Sequence, residues 1–325
     1  MSLRTRLIFA VLAAGSAPLL AQTTTQTTKA TSTLALPKRA NSVRFAVIGD
    51  AGTGDKVQNE TAAQIYNYYK LFPFTFAILL GDNIYGASRP QDFAQKFERP
   101  YKPLLDAKVE FDAALGNHDD PNQKFYKPFN LGGNRYRTFK KGNVRFFVLD
   151  SNYMDPEQVK WLDKELAASG SDWKIAYFHH PLYTTARRGP EIELRKILEP
   201  VFVKYGVDVV FNGHEHIYER IHPQQGITYF IAGGSAKLRI GDTHPGQLTD
   251  VGFAEDRSFM LVEIAGDDMF FQAISRTGVT VDKGTLRRRI GAAPPKVTAV
   301  RPGAKPVVKK PATTAPKPTS PAPRP

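Results

Sequence analysis

Cysteine is missing from all 325 residues, which removes thiolate metal sites, cysteine nucleophiles and disulfide staples together. Stability has to come from a core, and a body of about 250 residues is long enough to bury one without staples. Acidic residues are missing from both ends. Residues 1–42 carry five Lys or Arg and residues 291–325 carry seven, with no Asp or Glu in either stretch. The formal charge of +13 therefore belongs to the ends, and the body between them is close to neutral. No folded basic patch or aromatic-basic platform remains to argue for specific nucleic-acid binding. A fixed-period internal repeat is also absent.

The ends read as appendages. Residues 1–21 start with Arg4 and Arg6, pass through an apolar stretch from Leu7 to Leu20 and reach small residues around Ala21, the pattern of a signal peptide. The run is short for a membrane span. An uncleaved anchor is the alternative, because Leu19 stands where a small residue is preferred and Pro18 interrupts the run. Residues 22–42, rich in Thr, Ala and Gln, are expected to be an unordered linker. Residues 291–325, rich in Pro and Lys, are expected to be an extended, disordered tail. That tail is either a solvated tether or a contact for anionic envelope polymers. The expected location is outside the cytoplasm, periplasmic or secreted.

Residues 43–290 are expected to form one folded domain. Strand-length apolar runs fall at 43–48, 74–80, 111–115, 144–149, 173–178, 207–211, 227–232, 259–264 and 269–274. Amphipathic stretches with helical spacing fall at about 56–70, 91–106, 156–168 and 190–204. This alternation, with strands alone after residue 207, predicts an α/β fold in which sheets lie between helical layers.

Five short blocks follow apolar runs: GDAG at 49–52, GDNIY at 81–85, GNHD at 116–119, HHP at 179–181 and GHEH at 213–216. In open α/β sheets the loops beyond strand C-termini form the ligand crevice, so topology brings such blocks together. Taken singly each has an ordinary explanation. A strand-end Asp often caps a helix, GNHD suits a capped turn, and surface histidines are common. Jointly they concentrate oxygen and imidazole donors sufficient for two metal ions, and point to a binuclear metallohydrolase. Of His179 and His180 one imidazole is expected to ligate and the other to pack or hydrogen-bond. His222 and His244 have no companion donors and are assigned no metal role.

With these motifs in place, the chain resembles the calcineurin-like metallophosphoesterase superfamily and, within it, the purple acid phosphatases. Tyr85 in GDNIY, GHEHIYER at 213–220 and HHPLY at 179–183 carry the likeness, which spans about residues 43–276. The resemblance implies a four-layer α-β-β-α sandwich with two mixed sheets. It implies Fe(III) held by Asp50, Asp82, Tyr85 and His216, and a divalent Fe, Zn or Mn ion held by bridging Asp82 with Asn117, His179 and His214. His179 is preferred over His180 because the family ligand stands two residues before proline. The implied reaction is hydrolysis of small phosphomonoesters by direct attack of a metal-bound hydroxide. His118 would be the catalytic group assisting the leaving oxygen, and Asn117 and His118 would contact substrate.

Two departures stand out. Relatives carry a further substrate-contacting histidine after the HHPLY block, whereas this chain reads TTARRG, with Arg187 and Arg188; Arg188 is taken as a substrate contact, able to clamp phosphate but not to act as an acid at neutral pH. The N-terminal β-sandwich of the plant enzymes is also not expected, since only residues 22–42, of linker composition, separate the expected signal peptide from the first strand-like run. A phosphodiesterase acting on nucleotides or other diesters is the nearest alternative function. An envelope-binding protein with a vestigial metal site is the alternative from another class.

Overall fold

The structure, a computed structural model, describes residues 33–244, 246 and 248–289. The expected signal peptide, residues 22–32 of the expected linker and the Lys/Pro-rich tail lie outside the described residues. The first half runs β1 (Val43–Ile48), α1 (Lys56–Leu71), β2 (Phe76–Leu80), α2 (Pro90–Phe93), α3 (Lys102–Asp106), β3 (Glu110–Ala114), β4 (Arg137–Lys141) and β5 (Val144–Val148). A π-helical turn, Ala94–Glu98, continues α2. The second half runs α4 (Pro156–Ala167), β6 (Trp173–Phe178), α5 (Ile192–Tyr205), β7 (Val209–Asn212), β8 (Tyr218–Gln224) and β9 (Ile227–Ala232). It closes with β10 (Thr249–Phe253), β11 (Ser258–Ala265), β12 (Asp268–Ser275) and β13 (Thr280–Arg287).

The strands form two mixed sheets, ordered β13-β12-β11-β1-β2-β3 and β10-β8-β9-β7-β6-β5-β4. Within the first, β1, β2 and β3 are parallel; within the second, β5, β6, β7 and β9 are parallel. Alternation of side chains across each strand makes the layers. Phe146, Ile175, Tyr177, Val209 and Phe211 belong to the core shared with β1 and β2, where Phe45 meets Phe146 edge-on at 5.4 Å and Phe211 at 6.3 Å. Their neighbours Phe147, Ala176, Phe178 and Val210 face the other way, onto Leu162 of α4 and Leu198 and Phe202 of α5. On the far side of the first sheet, Ala62, Ile65 and Tyr68 of α1 are buried. The result is the expected α-β-β-α sandwich.

Two helix starts are fixed locally. Asp55 and Asp155 each accept a hydrogen bond from the backbone N–H three residues on, at 2.8 Å, and Pro156 fills the first position of α4, where its missing N–H has no role.

The linker expectation needs correction for residues 33–42. Leu36 is buried, and the Ala35 N–H donates to Gln272 Oε1 while Gln272 Nε2 donates to the Thr33 carbonyl, both at 2.8 Å. The Lys38 and Arg39 N–H groups and the Ser42 hydroxyl all donate to the buried Glu263 carboxylate. Composition hid this, because a few apolar anchors plus side-chain acceptors waiting on β11 and β12 are enough to order a polar segment. The stretch 91–106 is also three short pieces rather than one helix.

Candidate metal centre

Each block sits at the C-terminal end of a strand: GDAG after β1, GDNIY after β2, GNHD after β3, HHP after β6 and GHEH after β7. The loops are tied to one another. The Asp50 N–H donates to Gly81 O at 3.1 Å, the Tyr85 N–H to Gly52 O at 2.9 Å and the Gly213 N–H to His179 O at 3.0 Å. Close approach demands glycine at Gly81, where φ is +92° and a Cβ would stand 2.6 Å from His179 Nδ1. Three donor residues that are not glycine also hold left-handed backbone: Asp50 (φ 53°), Asp82 (φ 52°) and His214 (φ 68°). Strain of this kind persists where the surroundings over-determine it and concentrates at functional sites.

The donors fall into two groups. In one, the Tyr85 hydroxyl lies 3.4 Å from Asp50 Oδ1 and 3.4 Å from His216 Nε2, and those two are themselves 3.4 Å apart. In the other, Asn117 Oδ1 lies 3.0 Å from both His179 Nε2 and His214 Nδ1, which are 3.2 Å apart. Asp82 joins them: its Oδ1 is 3.4 Å from His179 Nε2, and Asp82, Asp50 of the first group and His179 of the second each place a ligand atom within 4.8 Å of the others. Neighbouring ligands around one cation with bonds near 2.1 Å stand about 3.0–3.4 Å apart. The donor spacing and chemistry, oxygen and imidazole with a phenol, therefore fit two hard or borderline ions.

Second contacts aim the ligand atoms. The Leu80 carbonyl, 2.9 Å from His179 Nδ1, takes that proton and leaves Nε2 as the bare donor. Asp50 Oδ2 accepts the His214 N–H at 3.0 Å, which frees Oδ1 for the first group. Asp119 accepts from the backbone N–H groups of Gly116, Ile84 and Asn83 at 2.9, 3.0 and 3.1 Å. It thus pins the GNHD block to the GDNIY block. Nothing in the spacing of GNHD marks Asp119 for this part.

The electrostatics favour a bound cation. Burial, then the neighbouring Asp82, pushes the Asp50 carboxyl well above its usual range. Burial, then Asp50 and Asp82, pushes the Tyr85 hydroxyl up in the same way. Burial, followed by neighbouring cationic and imidazole groups, pulls His179 well below its usual value, His214 to about 2 and His216 to about 4. Neutral imidazoles beside carboxyls whose charge is uncompensated are what a cation relieves.

All seven expected ligands are brought together. Asn117 and His118 stand exposed at the mouth, with the His118 ring 5.1 Å from that of Tyr85. Arg188 reaches the site, donating to His214 O at 2.7 Å and approaching His214 Nε2 at 3.3 Å. Arg187 does not; its side chain is 82% exposed and lies 4.0 Å from Asp242. His180 packs as the second imidazole of its pair, with Nδ1 2.8 Å from Ser151 Oγ. His222 and His244 pair with Asp250 and Asp242. Lys237 was missed: its ammonium lies 4.7 Å from the centre of the Tyr85 ring, in a loop after β9 whose sequence has no motif to mark it.

Comparison with known proteins agrees with this geometry. The calcineurin-like phosphoesterase family model matches residues 43–218. Human tartrate-resistant acid phosphatase type 5 is 26% identical over 311 residues, covering 79% of this chain and 95% of its own. Purple acid phosphatase 7 of Arabidopsis thaliana is 26% identical, covering 78% and 88%. Among solved structures, purple acid phosphatase PPD1 from yellow lupin superposes with a TM-score of 0.64 at 20% identity, covering 78% of this chain and 55% of the lupin chain. The fold is also that of GAP50, the anchor in the inner membrane complex of Plasmodium, with a TM-score of 0.68 at 18% identity, covering 79% and 92%. The chain is a metal-dependent phosphoester hydrolase, and it belongs to the calcineurin-like phosphoesterase family as a purple acid phosphatase-like member.

Proposed function

We propose that this enzyme is an exported phosphomonoesterase of the purple acid phosphatase type. Fe(III) would be held by Asp50, Tyr85 and His216, a divalent Fe, Zn or Mn ion by Asn117, His179 and His214, and Asp82 would be shared. The single observation that supports this most is the Tyr85 oxygen standing 3.4 Å from both Asp50 Oδ1 and His216 Nε2, since a phenolate favours the ferric ion. Two such ions supply charge for the phosphate oxygens and acidify water to a nucleophile near neutral pH.

The chain's own groups do the rest. Arg188 offers guanidinium N–H groups beside His214, where they hold phosphate oxygens and fix its orientation. His118, exposed beside Tyr85, gives its proton to the leaving oxygen as the P–O bond to the alcohol breaks and the bond to the water oxygen forms. The products are the alcohol and inorganic phosphate. Export rests on the signal pattern at 1–21, and the Lys/Pro tail beyond residue 290 would contact anionic envelope polymers; the near-neutral body gives no support to nucleic-acid binding.

Turnover of p-nitrophenyl phosphate against bis-p-nitrophenyl phosphate tests the reaction class. The expected kcat/KM for the monoester is at least about tenfold higher, a difference of about 1.4 kcal/mol in transition-state binding; the reverse order would make the enzyme a phosphodiesterase.

A further inference from the structure

A cavity of about 390 Å³ adjoins the second donor group, and Asn117 forms part of its wall. That volume lies within the range of small-molecule sites. His180 lines it as well, its ring 4.6 Å from that of the ligand His214. The Ser151 hydroxyl contact at His180 Nδ1 leaves Nε2 as the ring's remaining polar atom. Asn152, whose Oδ1 is buried without a hydrogen-bond partner, lines the same space.

The charge of the walls is the informative part. Three carboxylates line the cavity. Asp119 is committed to backbone N–H groups, and Asp150 is paired with Arg135 at 3.0 Å. Glu191 is exposed, and its carboxylate has no ion pair or hydrogen bond among the described residues. Tyr153, 59% exposed, stands on the same rim with the Arg135 guanidinium 5.8 Å from its ring centre, so Glu191 is the group there left to meet a cation. By contrast Arg188 and Lys237 stand against His214 and Tyr85. Arg188 and Lys237 thus flank the metal donors themselves, while Arg135 is engaged by Asp150 and Tyr153 and the adjoining cavity presents the Glu191 carboxylate and neutral acceptors.

We propose that this cavity receives the alcohol part of the substrate and selects a cationic one, so that the preferred substrates are phosphomonoesters of small amino alcohols. The phosphate lies over the metal donors beside Arg188, and the ammonium end reaches Glu191. A leaving group carrying its own carboxylate meets the Glu191 charge and is disfavoured. The inference rests on the phosphomonoesterase reading and narrows its substrate class.

The test compares kcat/KM for O-phosphoethanolamine and 2-phosphoglycolate in the metal-loaded enzyme, with p-nitrophenyl phosphate as the check on activity. The wild type is expected to favour phosphoethanolamine by about fivefold or more, the scale of one partly solvated charge pair. Glu191→Lys, an exposed change at a helix start, is expected to invert the ratio by raising one value and lowering the other. Absence of p-nitrophenyl phosphate turnover would overturn the phosphomonoesterase reading itself. Turnover of that ester with no preference between the charged pair, or a parallel fall of both values in Glu191→Lys, would overturn the cavity's role alone.

Discussion

His179 Nδ1 lies 2.9 Å from the Leu80 carbonyl, and this contact decides which ring nitrogen faces Asn117. A backbone acceptor from β2 thereby orients an imidazole on the loop after β6. Replacing His179 with Ala should leave the second donor group with Asn117, His214 and the shared Asp82. The expected result is one metal ion per chain by elemental analysis and a loss of activity above about 100-fold.

Tyr85 carries the ferric assignment. Its hydroxyl is pushed up by burial and by Asp50 and Asp82, so an ion must displace the proton. Tyr85→Phe should abolish the visible charge-transfer absorption of the iron-loaded protein. Calorimetry in buffers of different ionisation enthalpy at pH 6 should show about one proton fewer released on metal binding.

Arg188 should act on substrate rather than on metal. Arg188→Ala is expected to raise KM about tenfold with metal content unchanged, and Arg188→Lys to recover only part of the loss because an ammonium cannot form the two-pronged contact. Unchanged KM in the Ala variant would reduce Arg188 to a support for the His214 loop.

Burial lifts the Glu215 carboxyl from an ordinary 4.5 to about 7. The folded chain therefore keeps a proton that the unfolded chain loses first, and the stabilisation present below about pH 4.5 is lost as pH rises through about 7. Glu215→Gln removes this dependence. In metal-free protein its Tm relative to wild type should rise between pH 5 and pH 8, by about 3 °C.

The buried strands were legible because their residues are apolar on both faces; β1, β2, β6 and β9 fall on the runs at 43–48, 74–80, 173–178 and 227–232 within a few residues. Four strands were not. Of these β4, β10 and β13 are sheet edges, where one side faces solvent and segments such as RTFKK and TVDKGTLR need no apolar run, and β8 carries YERIHPQ next to an edge. The blocks that meet at the strand ends were legible because oxygen and imidazole donors come from few residue types. Lys237 and the Asp119 tether were not, since a lysine over a ring and a carboxylate gathering backbone N–H groups leave no spacing in the sequence. The order of residues 33–42 was hidden for a related reason: its acceptors, Gln272 and Glu263, lie more than two hundred positions away.

Asp82 as the link between two donor groups is the centre of the account, and anomalous diffraction from crystals of metal-loaded protein measures it directly. Two peaks about 3.5–4 Å apart are predicted, one within bonding distance of Tyr85 and His216 and the other of Asn117 and His179, with the Asp82 carboxylate between them. A single peak, or two peaks that Asp82 does not touch, would contradict it.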